Sequence, residues 1–174
     1  MKPSHWIFAS LMGLAAALPM SAAPKAAVSD PRVQVEFVNP EKFTDLKADA
    51  SGSKKGRDSY LEQLRDHLAR QAGGQLPQGQ RLRISITDID MAGDFEPWQG
   101  QSLTHVRMVK DQYPPRIDLS FKITNEKGKV LREGARELKN LSFMRDVSIS
   151  RQDPLRHEKK LLDEWLRREV AGKS

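Results

Sequence analysis

The chain has 174 residues, of which 38% are hydrophobic and 30% charged, with a formal net charge of +6 and no cysteine. Those proportions suit one globular domain and exclude a disordered or polytopic membrane protein. The missing thiols exclude disulfides, a cysteine nucleophile, cysteine-ligated zinc or iron–sulfur clusters, and the acylated cysteine of a lipoprotein.

Met1 to Ala23 reads MKPSHWIFASLMGLAAALPMSAA. A basic start at Lys2, an apolar run from Ile7 to Leu18, a breaker at Pro19 and small residues at Ser21 and Ala23 have the order of a cleavable secretory signal peptide. The apolar run falls short of the roughly 20 residues of a bilayer span, so no stable membrane span is expected after cleavage. The expected location is a bacterial periplasm. Residues 24–31 are expected to be a mobile leader and residues 32–174 one domain, large enough to build an ordinary core.

Arg32 to Val38 alternates, with Val33, Val35 and Phe37 on one face, which predicts a half-buried strand ended by Asn39-Pro40. Glu41 to Gly56 is polar and is expected to be an exposed loop with Phe43 tucked inward. Ser59 and Glu62 have capping-box spacing; Leu61, Leu64 and Leu68 then form one apolar stripe that Gly73-Gly74 is expected to close. After the turn LPQGQ, Leu82, Ile84 and Ile86 point one way and Arg83, Ser85 and Thr87 the other. Strand, helix and strand in that order predict a right-handed crossover between parallel strands.

Leu103 to Lys110 is expected to form a strand burying Val106 and Met108, followed by a turn at DQYPP. Ile117, Leu119, Phe121 and Ile123 alternate with polar residues more cleanly than any other segment. NEKGK is then a hairpin loop, and Val130 to Leu138 returns with a bulge expected at Gly134. Leu141, Phe143 and Met144 are expected to pack against the domain. Asp153 and Pro154 open a last helix whose apolar face is Leu161, Leu162, Trp165, Leu166 and Val170; outside it, Asp163 with Arg167 and Glu164 with Arg168 have ion-pair spacing. The sum is a single α+β domain: a twisted, mainly antiparallel sheet of about five strands with two helices packed on one face.

One stretch carries chemistry-bearing residues at close spacing. SITDIDMAGDFEPW holds Asp88, Asp90, Asp94 and Glu96, with Trp98 at its end. Asp88, Asp90 and Gly93 fit the first, third and sixth places of a calcium loop, but Ala92 at the fifth has no ligand atom and Gln99 at the twelfth cannot supply a bidentate carboxylate. Two acids on one strand face also suit an acid–base pair. The structural alternative is that they hold loop amides while Arg107 or Arg116 neutralises them from a neighbouring strand and Trp98 covers the sheet edge, or stands exposed for a partner. Elsewhere, His157-Glu158 lacks the second histidine of H-E-x-x-H because Leu161 stands there, and His67 and His105 are far apart in sequence. No G-x-S-x-G elbow, phosphate loop or dinucleotide fingerprint is present, and no cofactor is expected.

The segments NPEKFTD (Asn39 to Asp45), LPQGQRLRISITDIDMAGDFEP (Leu76 to Pro97), VRMVKDQYPPRIDLSF (Val106 to Phe121) and EKKLLDEW (Glu158 to Trp165), in that order, resemble the bacterial domain of unknown function 3016 family. That resemblance implies exported bacterial proteins and supplies no activity or functional residues. The basic residues are interleaved with acids, as in KKLLDEWLRRE, so nucleic acid is not the expected partner. The leading expectation is a non-catalytic module that binds an envelope protein or an anionic envelope surface, through a sheet edge or the loop from Asp94 to Ser102. The alternative is a metal-assisted hydrolase or small-ion binder using Asp88, Asp90 and Asp94.

Overall fold

A computed structural model describes residues 30–145 and 152–171. The signal-peptide segment and most of the leader lie outside the described residues. Strand β1 (Val33–Phe37) leads through a polar strap into helix α1 (Lys54–Gln75) and then into β2 (Gln80–Asp90). A two-stranded ribbon, β3 (Asp94–Phe95) with β4 (Arg107–Met108), interrupts the course before β5 (Arg116–Asn125), β6 (Val130–Lys139) and helix α2 (Arg156–Glu169).

The main sheet has the order β1-β2-β5-β6. As the strand–helix–strand pattern predicts, β1 is parallel to β2, with Val33 opposite Leu82 and Phe37 opposite Ile86. The other two pairings are antiparallel. The architecture is therefore α+β, with a mixed four-stranded sheet and the separate ribbon.

Alternation decides which face is covered. Leu82, Ile84 and Ile86 stand opposite Ile123, Phe121 and Leu119, and all six are buried together with Leu61, Leu64, Leu68, Leu161, Leu162, Trp165 and Leu166 of the helices. Phe121 meets Trp165 edge to face at 5.5 Å between ring centroids, the arrangement that ring quadrupoles favour. The opposite face carries Gln34, Arg83, Lys122 and Glu133, all exposed, so an antiparallel-type sheet turns one side to water.

Several boundaries differ from the sequence reading. Helix α1 begins at Lys54, capped by Ser53, whose hydroxyl accepts from the Gly56 amide at 3.2 Å. Ser59 is thus inside the helix. The helix also runs through Gly73 and Gly74 to Gln75, although a glycine in a helix interior costs about 1 kcal/mol relative to alanine. Gly73 is needed there because a Cβ would lie 2.8 Å from the Asp30 side chain, while Arg32, paired with Asp30, donates to the Gly73 carbonyl at 3.0 Å.

The expected strand from Leu103 to Lys110 is reduced to Arg107–Met108, since Gln101–Leu103 is a 3-10 turn and Val106 is 45% exposed. The extra residue of β6 is Leu131, which falls between the partners of Ile123 and Thr124; Gly134 is regularly paired with Phe121. Its missing side chain leaves room for the Arg136 guanidinium, which lies 5.3 Å over the Phe121 ring. Phe143 is buried, edge-on to His157, but Leu141 and Met144 are exposed. Asp153 accepts from the Leu155 amide ahead of α2 and bonds Lys159, so it precedes the helix instead of capping its first residue. Asp163 pairs with His67 of α1, not with Arg167.

Candidate functional site

A bulge sets the acidic stretch. In β2, Ile86 is paired with Leu119 and Asp88 with Asp118, which leaves Thr87 as an extra residue whose hydroxyl donates to the Asp118 carbonyl at 3.2 Å. Inserting one residue shifts the alternation by one place. Ile86 and Ile89 are consequently both buried, while Asp88 and Asp90 turn to the open face opposite Asp118 and Arg116.

Asp88 is spent on structure. One oxygen accepts from the Thr44 amide at 2.6 Å and the Ile89 amide at 2.9 Å; the other accepts from the Thr44 hydroxyl and the Arg116 guanidinium, both at 2.7 Å. Burial works to raise this carboxyl, but the Thr44 donors and Arg116 outweigh it and hold it below the ordinary carboxylate range. Of the cluster's acids Arg116 thus pairs with Asp88, and its other arm reaches Asp118 at 3.1 Å.

Arg107 goes elsewhere. It donates twice to Asp45, at 2.8 and 3.2 Å, and also to the carbonyls of Gly93 and Lys47. Its guanidinium also lies 4.7 Å over the Phe95 ring. Asp45 is buried and belongs to the strap beside the end of β2, where its amide donates to Ile89 and its carbonyl accepts from Met91. As a lone acid in a polar loop it carries no signal in the sequence.

Gly93 makes the tight passage to the ribbon. Its φ of 79° is in the left-handed region, and a Cβ would lie 2.6 Å from the Met108 carbonyl oxygen, so only glycine fits. The adjoining Asp94 bonds the Phe95 amide at 2.7 Å. Glu96, 1% exposed, accepts from Lys110 at 2.5 Å, Tyr113 at 2.9 Å and Gln99 at 3.1 Å. Lys110 lowers the Glu96 carboxyl against the effect of burial. That anchor fixes the loop. Trp98 then stands on the 3-10 turn Pro97–Gln99, 69% exposed, and covers no sheet edge.

Asp90 differs from its neighbours. Its carboxylate has no hydrogen-bond partner among the described residues and borders a polar notch of about 360 Å³, along with Asp94, Tyr113, Arg116 and Lys139. Burial raises its pKa against Arg116, and the nearby Asp45, Asp88 and Asp94 add to the rise. Among the described residues, no three histidine or carboxylate side chains are placed to hold a metal ion. No histidine lines the notch. The acidic stretch therefore brings Asp90 and Asp94 to the notch while Asp88 is held by Thr44 and Arg116, and Arg107 is diverted to Asp45.

A further acid, which the sequence offers only as half of an incomplete H-E-x-x-H, lies beneath this loop. Glu158, fully buried on α2, accepts from the Ala92 amide at 2.8 Å, while its second oxygen has no partner among the described residues. Burial pushes its carboxyl up to about 7, against the opposing pull of the Ala92 amide. Helix α2 thereby holds the acidic loop from inside.

A family model described as a protein of unknown function, DUF3016, matches residues 31–168. The chain belongs to the DUF3016 family. The matched span of this DUF3016 protein begins just before β1 and ends within α2, so it takes in every strand, the whole of α1 and α2 up to Arg168. No curated protein and no solved structure matches the chain. Among the described residues, no helix is long and apolar enough to cross a membrane.

Proposed function

We propose that this DUF3016 protein is a non-catalytic binding module of the bacterial periplasm, delivered there by removal of Met1 to Ala23, and that it contacts an envelope protein through the loop from Asp94 to Ser102. Nucleic acid is not among its partners in this reading. The observation that carries it is Trp98: a large aromatic side chain 69% exposed on a turn whose neighbour Glu96 is buried and bonded three times. A rigid aromatic at a pinned loop offers contact area at little entropic cost, the property that enriches tryptophan at binding hot spots. The bonded state of Asp88 and the diversion of Arg107 support architecture over reactivity for the acids.

A photo-crosslinking residue placed at Trp98 should trap a discrete adduct in intact cells that the same residue at exposed Lys55 does not trap, and Trp98→Ala should fail to complement a deletion strain. Export should appear as a protein in the periplasmic fraction that starts at Pro24. Full complementation by Trp98→Ala with no adduct would end this reading.

A further inference from the structure

The outer surfaces of the two helices border a second, open cleft, of about 700 Å³, that the reading above does not use. Its α1 wall holds His67, Arg70 and Gln71, and its α2 wall holds Arg156, Lys159, Lys160 and Arg167. Five cationic side chains line it against two carboxylates, Asp153 and Asp163.

Those carboxylates are already engaged. Asp163 is bonded to His67 at 2.7 Å, and Asp153 to Lys159 at 2.7 Å and the Leu155 amide at 2.9 Å. Arg156 donates to the carbonyl of Asp153, at 3.3 Å, and forms no ion pair among the described residues. Arg70 and Arg167, exposed on opposite walls, have no hydrogen-bond or ion-pair partner among the described residues.

Gathering these residues works against folding. Arg156 and Lys160 are four apart on one helix, where like charges repel, and Arg70 faces them from the other helix. Lys160 is paired with Glu164 at 4.0 Å, but Arg70 and Arg167 have no compensating contact among the described residues, and a local conflict of that kind is what a ligand site leaves behind. Guanidinium forks match phosphate oxygens two at a time, and a cleft of this volume with one free arginine on each wall exceeds what a single small anion fills.

We propose that the cleft between α1 and α2 binds a ligand carrying two or more phosphate groups. Such a ligand is either a soluble polyphosphate or the clustered headgroups of an anionic lipid surface. The test is calorimetric titration of the purified protein with sodium tripolyphosphate at about 0.15 M ionic strength, and co-sedimentation with phosphatidylglycerol vesicles. Arg70→Gln with Arg167→Gln should weaken binding roughly tenfold or more, whereas Arg81→Gln with Arg83→Gln, which removes the same charge from the strand β2 surface, should leave it within about twofold. All four arginines are exposed, and an unchanged melting temperature confirms that each variant is folded. Tripolyphosphate binding alone assigns a soluble ligand, and binding to both probes assigns a headgroup. Binding to vesicles alone, lost in the Arg70 and Arg167 double variant, also assigns a headgroup; binding to neither probe overturns the proposal, and so does an equal loss in the two double variants.

Discussion

Replacing Glu158 by glutamine keeps an oxygen for the Ala92 amide and removes a charge that the fold encloses completely. The wild-type carboxyl moves from 4.5 to about 7 on folding because burial disfavours the ionised form. A carboxyl raised in this way makes the folded state bind more protons than the unfolded state between those two values, so stability falls as pH rises through the window. At about 1.4 kcal/mol per pH unit, the loss amounts to about 3 kcal/mol once pH is well above 7. Glutamine does not titrate, so it should abolish this slope. Urea unfolding of both proteins at pH 5 and pH 8 measures it: the variant should gain about 2 to 3 kcal/mol on the wild type between the two pH values. Every other titrating group is common to both proteins and cancels in the comparison. Parallel pH dependences would refute the reasoning, because they would mean that Glu158 ionises in the fold as it does in water.

Leu64, fully buried on α1, should cost about 2–5 kcal/mol when changed to alanine, through lost burial and the cavity left behind; a variant that melts like the parent would mean that α1 does not dock on the sheet. Arg107→Ala should cost about 3–5 kcal/mol in denaturant unfolding, because it strands the buried Asp45 carboxylate, and Arg107→Lys should recover little since lysine cannot reproduce the two-pronged contact.

The elements with strong periodicity were legible without a structure. Ile117, Leu119, Phe121 and Ile123 fall on the covered face as their alternation requires, and the leucines of α1 and the Leu161 to Val170 face of α2 are all in the core. Two kinds of information were not legible. One is close approach between distant segments: Gly73 looks like a helix stop in isolation, and only the Asp30–Arg32 pair beside it shows why a glycine continues the helix. The other is the choice of partner for a charged group. The position of Arg107 in the chain points to the acids of β2, yet its partner is Asp45, which arrives from the strap before α1. The pairing of Asp163 with His67 instead of Arg167 shows the same limit, because four-residue spacing permits a contact that tertiary geometry then overrides. At the candidate site the acids were found, but their roles depended on Thr87, whose bulge nothing in the local composition marks.

The parallel pairing of β1 with β2 bears on how the chain comes together. Among the described residues β1 has a single neighbour in the sheet, and that neighbour begins only after the whole of α1 has passed. A nascent fragment ending at Gln75 holds its first strand with nothing to zip onto. A chain starting after Phe37 bares instead the outer rim of β2 along Ile84 and Ile86. The two pieces are natural candidates for complementation in trans, with the Val33–Phe37 segment supplied as a separate peptide and its capture read by recovery of the missing ladder.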